Sequence, residues 1–207
     1  ELEPSVISCS AGISACEKSA QWQHALCLLT ESWDVRLEAD LIAFNAGISA
    51  CEKGGQWQHA LSLLREMVEV KVPPNEVSFS AGISACEKGM QWQQALLLLG
   101  ALQEAVVEPN AMTCSAGVIA CERGRQWQRA QSVLHELWAA NVEPNVICFS
   151  ALASACASAR QWQQALAVFG GLLQAGLQPD AATYLAGITA CTGGGVWQHA
   201  LSLLRDM

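Results

Sequence analysis

Apolar positions along the chain recur with two periods at once. Within residues 41–53, Phe44, Ile48 and Cys51 stand four and three apart, and within 56–70 the residues Trp57, Ala60, Leu61, Leu64 and Met67 keep the same rhythm. That spacing places them on one buried face of a helix. The spacing predicts a first helix from Leu41 to Lys53 and a second from about Gln56 to Val70. Gly54-Gly55 ends the first helix, as glycine does past a helix C-terminus, and Pro73-Pro74 forbids continuation of the second. Two helices of this size are each about 20 Å long at the usual rise. The pattern then returns as a whole: Trp22, Trp57, Trp92, Trp127, Trp162 and Trp197 follow one another at 35 residues, and Cys16, Cys51, Cys86, Cys121, Cys156 and Cys191 keep step. The unit of organisation is therefore a helical hairpin repeated along the chain.

The period predicts an all-α fold, an α-solenoid (a right-handed superhelix) of stacked helix–turn–helix hairpins of 35 residues each. Residues 1–207 form a single array: 1–5 end a preceding repeat, 6–40, 41–75, 76–110, 111–145 and 146–180 are full repeats, and 181–207 is a partial one. Small residues sit in the middle of the first helices, Ala46-Gly47 recurring as Ala11-Gly12, Ala81-Gly82, Ala116-Gly117 and Ala186-Gly187. A glycine there costs about 0.5–1 kcal/mol against alanine, so close approach of neighbouring first helices is the expected compensation. In the repeat 146–180 the glycine is replaced by Leu152.

Composition narrows the class. With 52% hydrophobic and 14% charged residues and a mean hydropathy of +0.23, the chain has the make-up of a protein with a large interior, not of a disordered one. Apolar runs such as Ala95 to Leu102 are far short of the roughly 20 residues that span a bilayer, so no membrane span is expected. Ten cysteines occur without any C-x-x-C, and six share one repeat position. They are read as small buried thiols in a reducing compartment. The chain opens at Glu1 within a loop, so no targeting peptide is expected inside it. The formal charge of -8 is uneven: it comes from residues 1–5, 6–40 and 76–110, and the other repeats balance to zero. That balance is unfavourable for a polyanion partner, because phosphate neutralisation dominates such binding.

The recurring tryptophan lies on the same face as the leucines of the second helix and is expected in the core. Trp33 and Trp138 fall late in second helices and are candidate contacts for a partner. His24, His59 and His199 share a repeat position facing outward, one hairpin apart and too distant to hold a metal together; His135 stands alone. There is no H-E-x-x-H, no glycine-rich phosphate loop, no G-x-S-x-G and no deaminase signature. The chain is expected to be no enzyme and to need no metal, no cofactor and no small-molecule substrate.

The units "LIAFNAGISACEKGGQWQHALSLLREM…VPPN" and "VICFSALASACASARQWQQALAVFGGLLQAGLQPD" make the chain resemble pentatricopeptide repeat proteins over essentially its whole length. The tetratricopeptide signature is absent. The resemblance implies sequence-selective binding of single-stranded RNA in a chloroplast or mitochondrion, for RNA processing, stability or translation, with one base per repeat. It implies that each base is read by a polar residue early in the first helix together with the last residue of the repeat: Ser10 with Asp40, Asn45 with Asn75, Ser80 with Asn110, Ser115 with Asn145, and Ser150 with Asp180. An aliphatic residue three places before the first reader would wedge between bases, namely Ile7, Ile42, Val77, Met112 and Ile147. By the family's preferences the five repeats would spell 5′-G-C/U-A-A-G-3′. Lys18, Lys53, Lys88 and Arg123 form a basic row for phosphates, which lapses at Ser158 and Gly193; Leu185 takes the reader's place in the sixth repeat. Two other readings stand beside this one. Serine and asparagine near a helix start also serve as caps, and an α-solenoid also serves as a non-catalytic scaffold that binds a protein partner in an organellar complex.

Overall fold

A computed structural model describes residues 6–34, 41–105, 107, 109–140 and 142–207. Among these the chain forms twelve helices and no strand. The helices are α1 (Val6–Lys18), α2 (Trp22–Asp34), α3 (Leu41–Lys53), α4 (Trp57–Glu69), α5 (Glu76–Lys88), α6 (Trp92–Glu104), α7 (Ala111–Arg123), α8 (Trp127–Ala139), α9 (Val146–Ser158), α10 (Trp162–Gln174), α11 (Ala181–Gly193) and α12 (Trp197–Asp206). They divide into two compact units, residues 1–108 and 109–207, each holding three hairpins. In the first unit α1, α3 and α5 pack side by side, and α2 and α4 each bridge their own first helix to the next. The second unit repeats this with α7, α9 and α11. The first helices are thus covered on several sides, which is why their sequences are small and apolar nearly all round. Phe44, Ile48, Ile83 and Met67 fill the first unit's core, and Phe149, Leu152, Val118 and Leu172 the second's.

Each hairpin turn is closed by the backbone. In the type repeat Gln56 N–H donates to Cys51 O at 2.8 Å and Gly55 N–H to Glu52 O at 3.1 Å, with Gly55 at φ +68. This pair of bonds satisfies carbonyls that the helix end leaves open. The same left-handed place is held without glycine by Ala20, Met90, Arg125 and Arg160, at φ between 54 and 58. Gln56, Gln91 and Gln126 fold back to donate to the carbonyls of Gly54, Gly89 and Gly124.

Two packing expectations are corrected. The mid-helix glycines make room for leucines of the second helices, not for a neighbouring first helix. A methyl group on Gly82 would come within 2.5 Å of Leu64 Cδ1 and 3.2 Å of Leu98 Cδ1, and one on Gly187 within 2.9 Å of Leu203 Cδ1. Where Leu152 replaces the glycine, the leucine of that second helix is Val168 instead. The tryptophans are not core residues either. Trp22, Trp57, Trp92, Trp127 and Trp162 are half-buried and Trp197 is exposed. The physical reason is position: the ring stands at the first residue of the second helix, at the edge of the hairpin. From there it lies over the glycine that ends the next first helix. A methyl on Gly54 would meet Trp22 Cδ1 at 2.4 Å, one on Gly89 would meet Trp57 at 2.4 Å, and one on Gly194 would meet Trp162 at 2.3 Å. His59, exposed as expected, also sets its ring 5.2 Å from that of Trp22.

Candidate nucleic-acid interface

The residues named as base readers gather where one first helix ends its first turn and the next begins. Asn75, Asn110, Asn145 and Asp180 are the N-caps of α5, α7, α9 and α11, their side chains accepting from the backbone N–H of Ser78, Thr113, Cys148 and Thr183. This is the capping role weighed above, and the readers' geometry depends on it. Held there, Asn75 Oδ1 accepts from Asn45 Nδ2 at 3.3 Å, and the Ser78 hydroxyl donates to Asn45 Oδ1 at 2.6 Å. In the second unit Ser115 Oγ lies 3.1 Å from Asn145 Oδ1 and 2.6 Å from the Ala111 carbonyl. Two of the expected pairs are therefore in direct contact. Ser150 instead turns its hydroxyl back to Ile147 O at 3.0 Å, while Asp180 is held by Thr183 N–H and hydroxyl at 2.8 and 2.6 Å. Ser80 is half-buried and Asn110 caps α7; they belong to different units. Ser10 is buried, whereas Asp40 and the side chain of Ile7 lie outside the described residues.

The wedge positions face solvent. Ile42 is 62% exposed and Met112 71%, with Val77 and Ile147 about half exposed. Large aliphatic side chains left in water beside paired polar groups make a surface suited to flat ligands with polar edges. In the second unit Ile147, Ser150, Ala182 and Leu185 line a groove of about 390 Å³.

The basic row is engaged within the protein. Lys53 Nζ sits 2.8 Å from Glu17 Oε1 and Lys88 Nζ 2.8 Å from Glu52 Oε1. Each lysine thus reaches to the preceding hairpin's glutamate, not to the glutamate beside it in sequence. Glu52 also accepts from Ser84 at 2.9 Å, and Glu122 accepts from Ser154 at 2.5 Å. Lys18 is exposed, and Arg123 has a partner of its own. Half-exposed pairs of this kind contribute at most about 1 kcal/mol each, and they reduce the field a phosphate would meet.

These carboxylate–serine links escaped the sequence reading. Their signal is a serine 32 residues after the glutamate, as in Glu52 with Ser84 and Glu122 with Ser154. The capping hydroxyls escaped it too, although Asn75-x-x-Ser78, Asn110-x-x-Thr113 and Asp180-x-x-Thr183 spell a recognisable cap pattern. Trp33's side chain lies outside the described residues; Trp138 is 43% exposed and meets Phe149 edge-on.

Elsewhere the first unit carries an apolar groove of about 670 Å³ between α4 and α6, walled by Leu61, Leu64, Val68, Phe79 and Leu98. Cys51, Cys86, Cys121 and Cys156 are buried free thiols that burial pushes up to about 11, and Cys114, next to Cys148, is pushed up to about 12. Thiols so shifted are neutral and inert near neutral pH. Among the described residues no cluster of His, Cys, Asp or Glu is arranged to hold a metal ion, and no helix is long and apolar enough to cross a membrane.

Against known families, residues 39–88 match the PPR repeat family, and residues 96–159 and 132–194 match the pentatricopeptide repeat domain. Together these cover more than half of the chain. No curated protein sequence matches it. Among solved structures it is similar to the pentatricopeptide repeat protein PPR10 in complex with an 18-nt psaJ RNA element, with 24% identity, a TM-score of 0.74, and 99% of this chain and 34% of that one covered. A structure of the pentatricopeptide repeat protein PPR10 from maize matches at 19% identity and a TM-score of 0.72, over 100% of this chain and 30% of that one. The PPR domain of Arabidopsis thaliana protein-only RNase P 1, in complex with tRNA, matches at 16% identity and a TM-score of 0.73, over 83% and 90% of the two chains. The chain thus spans about a third of the length of PPR10, and the likeness extends to an α-solenoid of paired helices.

Proposed function

The chain belongs to the pentatricopeptide repeat family, and from that premise we propose that it binds single-stranded RNA selectively, one base per repeat, along the exposed N-terminal ends of its first helices. The observation that carries this reading is the contact between paired polar side chains next to exposed aliphatic ones: Asn45 with Asn75 beside Ile42, and Ser115 with Asn145 beside Met112. Amides and hydroxyls held against each other match base edges, and an aliphatic side chain between two bases keeps their faces apart. The proposed target is 5′-G-C/U-A-A-G-3′, read by Ser10 with Asp40, Asn45 with Asn75, Ser80 with Asn110, Ser115 with Asn145, and Ser150 with Asp180. Solved relatives bound to RNA, PPR10 and the RNase P domain, support the assignment. Its place is an organelle, chloroplast or mitochondrion, and its role is non-catalytic.

The test is direct. GCAAG and its scrambles, embedded in an unstructured oligonucleotide, are titrated at several salt concentrations. Preferential binding of GCAAG with an affinity that falls steeply as salt rises is expected, since phosphate contacts release counterions. Equal binding of all sequences, or none at low salt, would reject it. The second reading, a scaffold for a protein partner, is favoured by the apolar groove between α4 and α6 and by the net charge of -8. Recovery of a protein complex without RNA from the native source would favour that alternative.

A further inference from the structure

Beside the pair Asn45 and Asn75 stands a third polar side chain, the fully buried Ser78 in the first turn of α5. Its backbone N–H donates to Asn75 Oδ1 at 3.1 Å, and Asn75 N–H donates to its hydroxyl oxygen at 3.2 Å. Those two bonds are a capping box. The hydroxyl proton goes elsewhere, to Asn45 Oδ1 on the preceding first helix, at 2.6 Å.

The network fixes how both amides are turned. A backbone N–H can only donate, so Asn75 must keep its oxygen inward. That oxygen also takes Asn45 Nδ2 at 3.3 Å, which leaves Asn45 Oδ1 facing the Ser78 hydroxyl. Both amide oxygens are thereby engaged inside the protein. What remains for a ligand is N–H donors: Asn75 Nδ2 has no partner among the described residues and is open to solvent, and Asn45 Nδ2 keeps one hydrogen free.

Capping alone does not require this. Thr113 and Thr183 hold the same place in α7 and α11, and their hydroxyls donate only to their own caps, Asn110 Oδ1 at 2.8 Å and Asp180 Oδ1 at 2.6 Å. Asn45 is the one amide among the first readers, the others being serines, and its side chain is long enough to reach the hydroxyl. In the second unit Cys148 holds this place, with its sulfur 3.3 Å from Ser115 Oγ.

We propose that Ser78 is a positioning residue for the second base, an inference that rests on the RNA-binding reading above. Buried as it is, it touches no RNA and acts through Asn45. With the Asn45 oxygen held inward, the pair is a donor surface. It suits a pyrimidine, whose pairing edge offers carbonyl O2 as an acceptor, and it opposes guanine, which presents donors at N1 and N2. Without the hydroxyl, the Asn45 amide is free to turn its oxygen outward, and guanine gains an acceptor.

The test compares the unaltered chain, Ser78→Ala and Ser78→Thr on GCAAG carrying each of the four bases at its second position, embedded in an unstructured oligonucleotide. In Ser78→Ala the preference for a pyrimidine over guanine at that position is expected to fall several-fold, with preferences at the third and fourth positions unchanged. Ser78→Thr keeps a hydroxyl and is expected to keep the preference. If Ser78→Ala folds poorly, Ser78→Cys replaces it, since Cys148 occupies this place natively and a thiol donates only weakly. A uniform loss of affinity for all four bases would mark Ser78 as a cap alone and overturn the proposal. An unchanged preference, or its loss in Ser78→Thr as well, would do the same, and base reading would stand. Failure of the unaltered chain to bind, or to distinguish bases at any position, would overturn both together.

Discussion

At the scale of single residues, the contact between tryptophan and glycine is the most specific in the array. Trp57 lies so close over Gly89 that any side chain on the glycine displaces the ring. Because the ring is half-buried, Trp57→Ala is expected to cost less than the about 3–5 kcal/mol of emptying a buried aromatic site. Gly89→Ala should cost about 1–3 kcal/mol by overpacking. In the Trp57→Ala background the same methyl meets no ring and should be near neutral. Chemical denaturation of the two single variants and the double variant gives the coupling, expected at about 1 kcal/mol or more. Additive effects would mean that the ring and the glycine are independent. Ala159, which follows Trp127 at the matching place, shows that the array accommodates one methyl where the neighbouring residues allow it.

At the scale of the element, the hairpin is defined by its two ends. The last residue of a repeat caps the next first helix, and the turn between helices takes a left-handed residue. Any L-residue other than glycine there costs about 1–2 kcal/mol in local conformational energy, offset in part by the greater freedom glycine brings to the unfolded chain. Met90→Gly should therefore raise the stability of the first unit by about 1 kcal/mol, read as a higher thermal midpoint. Gly55→Ala should lower it by a similar amount. A fall on Met90→Gly would show that the exposed methionine contributes more by contact than its backbone costs.

At the scale of the whole molecule, the RNA binding proposed above would be opposed by the acidic charge of residues 1–108. Five bases read at modest energies against such a field should give micromolar affinity or weaker, about -8 kcal/mol or less favourable. Selectivity is separable from strength. Asn110→Asp exchanges an amide for a carboxylate in the third reader pair and should move the third base preference from A towards G, leaving the other four unchanged. Titration of single-base variants of GCAAG at fixed salt checks this. An unchanged preference at every position would identify Asn110 as a cap alone, since Asp also caps helices well.

The fold was legible because its information is local and repeated. Period, helix-face spacing, glycine and proline placed α3 at Leu41–Lys53 and α4 within a residue of its observed ends. Each signal depends on neighbours three or four residues away, and six copies reinforce one another. The reader positions came from the family resemblance, and their capping chemistry from residue type. What the sequence left open depends on contacts between hairpins, at separations of about one period. Lys53 stands beside Glu52 in the chain, yet pairs with Glu17, because successive first helices lie side by side and bring the end of one against the end of the next. The tryptophans keep the helical spacing of core residues, but the ring stands at the hairpin's edge and is covered in part by the end of the next hairpin's first helix. Hydrophobic periodicity determines which face of a helix turns inward. How far along that face burial extends is decided by the neighbour packed against it, and only the tertiary structure supplies the neighbour.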